Sequence, residues 1–132
     1  MRGWSGGAGD DAMISTRLHA AIDYTVPALV TLLAAGPGRS PAARRLMRAV
    51  SGWNYAYSLC TSYEGGLVRA IPMRGHLALD TAGALAYLGS AALGDRMPAR
   101  DRLLLAGIGA AQLAVIGLSN RGGARSTPAN RQ

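Results

Sequence analysis

The 132-residue chain has no phenylalanine, no lysine and a single cysteine, and aromatic residues make up only 5% of it. Without phenylalanine, a water-soluble core of this size lacks the large apolar anchors it normally uses. The lone Cys60 excludes an internal disulfide and any cysteine-pair metal site. Without lysine, all 14 basic residues are arginine, and the net charge is +7. The arginines fall in short clusters at the ends of apolar segments, not along one helix face. That placement points away from nucleic acid and toward anchoring at lipid headgroups. An arginine-only basic set also fits a GC-rich genome. The first dozen residues, MRGWSGGAGDDA, lack the apolar run of a secretory signal. Residues 1–14 and the tail 121–132 are expected to be disordered, and Met13 is an alternative start. No serine sits in a nucleophile elbow and no glycine pair belongs to a phosphate loop, so nothing names a reaction. A binding or structural role is favoured over an enzymatic one.

What is present is apolar and small. Hydrophobic residues make up 49% of the chain, with 18 glycines; the mean hydropathy of only +0.13 hides a segregation. Four apolar segments are predicted as helices, at about Thr16–Ala35, Arg44–Glu64, Gly75–Leu93 and Arg102–Ser119. Gly65-Gly66 should stop the second. Each is about 18 to 21 residues long, which at about 1.5 Å per residue matches a hydrocarbon core of roughly 30 Å. The first, third and fourth are good membrane candidates. The second carries Ser51, Asn54, Tyr55, Ser58, Thr61 and Glu64, and would span only with that stripe facing other helices. A soluble four-helix bundle is the main rival, but from Leu103 to Leu118 the fourth segment shows no polar face except Gln112. Ala82, Ala86 and Ser90, and Ala106, Ala110 and Ala114, form small-residue rows suited to close helix packing or, as the sharper reading, to self-association.

A shift of 57 residues lays the sequence on itself without a gap. Arg17 meets Arg74, His19 meets His76, Ala21 meets Ala78 and Asp23 meets Asp80. In the connections Arg39 meets Arg96 and Pro41 meets Pro98; beyond them Arg45, Leu46, Ala49 and Gly52 meet Arg102, Leu103, Ala106 and Gly109. The expected fold is therefore all-α: a four-helix transmembrane bundle built from two tandem helical hairpins, about residues 17–64 and 74–120, within one membrane domain spanning 15–120. Both copies enter from the same side, so they form a parallel repeat about an axis along the membrane normal.

RLHAAID and RGHLALD then lie at the same depth on the first and third helices. Residues four apart share a helix face, so each copy presents a His–Asp pair. A carboxylate inside a spanning helix costs about 2.5 to 3.5 kcal/mol on insertion scales, and two of them need partners. Four readings remain open. His19, Asp23, His76 and Asp80, with Glu64 at the end of the second helix, suit a divalent metal such as zinc, iron or manganese. The same groups could pass protons or ions, or could form a structural network that only locks helices. Haem held by His19 and His76, with Arg17 and Arg74 near its propionates, is disfavoured by the adjacent aspartates. Tyr57 and Thr61 follow helical spacing toward the same pocket, and Arg17 and Arg74 are supporting candidates. Trp53, Tyr24, Tyr55 and Tyr63 read as interface or packing residues. Pro27 cannot bond the carbonyl of Asp23, so a kink or a free acceptor is expected there.

At YSLCTSYEGGLVRAIPMRGHLALD, residues 57 to 80, the chain resembles small bacterial integral membrane proteins of the SPW-repeat type. Those also look like duplicated two-helix units with an LH-x-x-x-D element opening each repeat. The Ser-Pro-Trp tripeptide that names them does not occur here. The resemblance covers about residues 17–119. It implies a four-helix, multi-pass domain in a bacterial inner membrane and carries no activity with it. The lipid bilayer is then the first partner, with further copies or other membrane subunits as the next. Seven arginines fall on each predicted membrane face, so the positive-inside rule gives no orientation.

Overall fold

The computed structural model describes residues 14–120, and both predicted disordered ends, apart from Ile14, lie outside the described residues. Four helices and no strand occur among them: α1 (Thr16–Ala35), α2 (Pro41–Leu59), α3 (Met73–Leu93) and α4 (Ala99–Asn120). Ser15 caps α1 by accepting from the Leu18 amide, and Ser40 caps α2 by accepting from the Ala43 amide. Helix α2 starts three residues before the expected Arg44 because Ser40 caps it and Pro41 fits the first helical turn. It also ends five residues before Glu64. Past Leu59 the backbone pairs with the returning loop instead: Ser62 N donates to Ile71 O at 2.8 Å and Ile71 N to Cys60 O at 2.8 Å. Gly65-Gly66 is therefore a loop element and not the helix stop. At Gly66 a side-chain carbon would stand 1.8 Å from the Thr61 carbonyl oxygen, so only glycine fits that turn.

Helices α1 and α2 pack as one hairpin and α3 and α4 as another, with α2 against α3 joining them. Helices α1 and α4 barely touch. Within the second hairpin the helices come close at Gly109, where a side-chain carbon would lie 2.9 Å from Ala84 O. Of the expected small-residue rows, Ala82, Ala110 and Ala114 are exposed, Ala86 and Ser90 are half-buried, and Ala106 packs against the apolar core. Val30, Ala34, Met47, Tyr87, Ala91 and Leu105 fill the half of the bundle around the α1–α2 and α3–α4 turns. There the fully buried Asp101 accepts from Ser40 N at 2.8 Å and Arg39 Nη1 at 3.1 Å, which fixes the first connection to α4. Helix α1 runs unbroken through the buried Pro27.

Two helices, Thr16–Ala35 and Ala99–Ser119, are long and apolar enough to cross a membrane by length and composition; α2 and α3 fall short of that measure. Large apolar side chains stand on the outside of the bundle. Leu32 is 69% exposed, Leu93 83% and Leu103 74%. In α4 only 17% of the apolar window is buried.

Candidate metal centre

The N-terminal ends of α1 and α3 come together in the half of the bundle opposite the apolar core. His19 and Asp23 are one turn apart on α1, and His76 and Asp80 one turn apart on α3; all four are buried. One potential ligand atom from each lies within 4.8 Å of the others. Each imidazole Nε2 addresses both carboxylates. His19 Nε2 is 3.5 Å from Asp23 Oδ1 and 3.2 Å from Asp80 Oδ2. His76 Nε2 is 3.0 Å from Asp23 Oδ2 and 3.3 Å from Asp80 Oδ2. The rings meet edge-on with centroids 5.3 Å apart.

The other ring nitrogen of each histidine is held by a hydroxyl. Thr61 Oγ1 lies 2.7 Å from His76 Nδ1 and also 2.7 Å from the Tyr57 carbonyl oxygen. A hydroxyl has one proton, and a carbonyl can only accept. Thr61 therefore donates to Tyr57 O and accepts from His76 Nδ1–H. Ser119 repeats the device at the end of α4, donating to Val115 O at 2.8 Å and standing 2.9 Å from His19 Nδ1. Both imidazoles thus carry their proton on Nδ1, and both Nε2 atoms are turned into the quartet. An outer acceptor that fixes the tautomer in this way is what metal-binding histidines ordinarily have.

The carboxylates are held too. Tyr57 donates its hydroxyl to Asp80 Oδ1, and Tyr63 donates to Asp23 Oδ2 at 2.8 Å. Because Tyr57 spends its proton on Asp80, it accepts from Asn54 Nδ2 at 2.7 Å, which fixes the orientation of the Asn54 amide. Burial foremost, and its bond to Asp23, hold the Tyr63 hydroxyl above the usual tyrosine range, so it stays a donor. With these donors committed, the centre is left with two Nε2 atoms and carboxylate oxygens facing one another. His76 Nε2 has no hydrogen-bond partner among the described residues, despite carboxylate oxygens 3.0 and 3.3 Å away. Such a centre requires a positive charge between its members. Protons on the imidazoles supply it, or a divalent cation does, whose two charges balance the two carboxylates.

Glu64 does not join the centre and is corrected from the expected ligand set. Since α2 ends at Leu59, helical spacing no longer carries Glu64 inward. It is exposed, and its Oε1 accepts from Thr16 Oγ1 at 2.9 Å, pinning the α2–α3 loop to the start of α1. A bond from its own backbone amide, then the one from Thr16, hold its carboxyl below the usual range. Arg17 and Arg74 are also exposed and do not act as supporting groups. Tyr57 and Thr61 do. A haem has no place between the histidines, because Asp23 and Asp80 contact both Nε2 atoms. Tyr63, Asn54 and Ser119 were not singled out from the sequence as site residues. Asn54 was legible as part of the polar stripe of α2, whereas Tyr63 depends on the path of the loop. Comparison with family models, with curated proteins and with solved structures finds no match for this chain.

Proposed function

We propose that this is a small integral membrane protein, made of two duplicated helical hairpins of the SPW-repeat type, that binds one divalent transition-metal ion between His19, Asp23, His76 and Asp80. The observation that carries the reading is the pair of hydroxyl anchors: Thr61 and Ser119 turn both Nε2 atoms toward the same two carboxylates. Two imidazoles and two carboxylates suit zinc, iron or manganese better than the all-oxygen sites of magnesium or calcium. The duplication accounts for the near-symmetry of the centre, since each copy contributes one His–Asp turn.

Membrane insertion is supported by the two apolar helices and by the leucines on the outer surface. A helix as apolar and as little buried as α4 would leave a large greasy face in water. Buried carboxylates in hydrocarbon need a neutralising partner, and a bound divalent ion supplies it. The packed apolar half around Met47, Tyr87 and Leu105 supports a closed binding site over a path through the bundle.

Metal analysis of protein purified in detergent tests the reading. One zinc, iron or manganese per chain is expected, with none retained by His76→Ala or His19→Ala. A quartet that only locks the helices would hold no metal even after incubation with each of those ions, and the same substitutions would lower the melting temperature alone. Extraction of the protein by detergent, but not by alkaline carbonate, checks the membrane part separately.

A further inference from the structure

Between α1 and α4, the pair of neighbouring helices that barely touch, runs a cavity of about 240 Å³. Its walls are apolar: Val26, Val30 and Leu33 from α1, and Ile108, Val115 and Ile116 from α4. One end is different. His19, Asp23, Asp80, Asn54 and Gln112 also line the cavity, so three of the four quartet residues border it. The volume is about eight times the roughly 30 Å³ that a water occupies in the liquid, and an apolar cavity of roughly 150 Å³ already holds a benzene ring.

The chemistry of the polar end selects the occupant. The donors nearest it are committed elsewhere: Asn54 Nδ2 to Tyr57, Tyr57 to Asp80, Tyr63 to Asp23 and Ser119 to Val115 O. What is left are two open acceptors and the amide nitrogen of Gln112, a set that a hydroxyl can meet by donating and accepting at once. Asn54 is 5% exposed, and its Oδ1 has no hydrogen-bond partner among the described residues; neither has Gln112 Oε1. A buried acceptor without a partner costs about 1 to 3 kcal/mol. A ligand that enters here is therefore apolar along its body and carries a hydrogen-bond donor at its head.

We propose that the α1–α4 cleft binds a small amphiphile with a hydroxyl head, an alcohol or phenol of roughly eight to ten heavy atoms, seated with its hydroxyl toward Asn54 and Gln112. A neutral hydroxyl is favoured over an ammonium group because the walls offer a charge no solvation along its way in. The site does not rest on the metal: Asn54 and Gln112 are its polar contacts whether or not the quartet holds an ion.

Photolabelling of the full chain in detergent with a diazirine-bearing octanol, with and without prior chelator treatment, tests this. Expected are saturable adducts confined to cleft residues such as Val26, Val30 and Val115, displaced by unlabelled octanol and at least tenfold denser than with the matching diazirine octane. Val30→Trp, which fills the cleft, should abolish them, and Gln112→Leu should erase the preference for the alcohol. Equal labelling by alcohol and alkane, or adducts spread evenly to the outward-facing Leu32 and Leu103, would overturn the proposal. Labelling that survives chelation while metal binding fails in separate assays would leave this site standing and remove only the metal reading.

Discussion

Thr61 Oγ1 and His76 Nδ1 lie 2.7 Å apart, and the direction of the bond between them is fixed because Thr61 gives its own proton to the Tyr57 carbonyl. One hydroxyl just past the end of α2 thereby decides which nitrogen of a buried histidine is left facing the carboxylates. Ser119 makes the same decision for His19 from the end of α4. The imidazoles at the starts of α1 and α3 are thus each oriented by a hydroxyl near the C-terminal end of a helix in the other hairpin.

Removing an anchor should loosen the centre without emptying it. Thr61→Val keeps the shape and deletes the acceptor for Nδ1–H. Loss of such an outer partner typically weakens metal affinity by about 10- to 100-fold. Equilibrium dialysis against zinc should show a drop of that size in Thr61→Val and in Ser119→Ala. Thr61→Ser should restore nearly all of it, because only the hydroxyl matters.

The tyrosines act on the carboxylates and should act mainly on stability. Tyr57→Phe removes the donor to Asp80, and Tyr63→Phe removes the donor to Asp23. A hydrogen bond to a charged group contributes about 1.5 to 3 kcal/mol. Each variant should therefore melt at a lower temperature in chelator-treated protein. The loss should be larger for Tyr57→Phe, which also leaves the Asn54 amide only its longer, 3.5 Å bond to Asp80 Oδ1.

Much of this arrangement was legible in the sequence, and the parts that were not share a cause. The His–Asp spacing predicts one face per helix, and the four side chains it names are buried together. The polar stripe of α2 would let it span only by facing other helices, and of its residues Ser51, Asn54, Ser58 and Thr61 are buried, while Tyr55 is half-buried and Glu64 exposed. Glu64 was misplaced because helical periodicity was carried five residues past the true end of α2. No local signal marks that end: Leu59-Cys60 is followed by no immediate glycine, and the chain leaves the helix to pair with Ile71, twelve residues beyond Leu59. Tyr63 reaches Asp23 only by virtue of that loop. The small-residue rows were met in part: Ala106 packs against the apolar core, while Ala82, Ala110 and Ala114 are exposed. α3 and α4 approach each other at Ala84 and Gly109, the latter one turn from Ala106.

The loop that carries Tyr63 should loosen in acid. Glu64 has its carboxyl held below the 4.5 of an unperturbed glutamate by its own amide and by Thr16. A depressed folded-state value means the contribution is fully present above 4.5 and is lost as the pH falls through the lowered value. Hydrogen exchange at Gly66 and Leu67 should therefore accelerate in that acid window. In Glu64→Gln the same amides should exchange at a rate that no longer depends on this titration.

The central claim is that four side chains from two helices hold one metal ion, and cobalt titration tests it most directly. Cobalt(II) takes zinc sites and absorbs visibly, so adding it to chelator-treated protein in detergent reads stoichiometry and ligand geometry together. The account predicts saturation at one cobalt per chain, the intense visible bands of a four-coordinate ion, displacement by zinc, and no such spectrum in His19→Ala or His76→Ala. A spectrum no different from cobalt in detergent alone, with a chain that nevertheless unfolds when either histidine is removed, would contradict it.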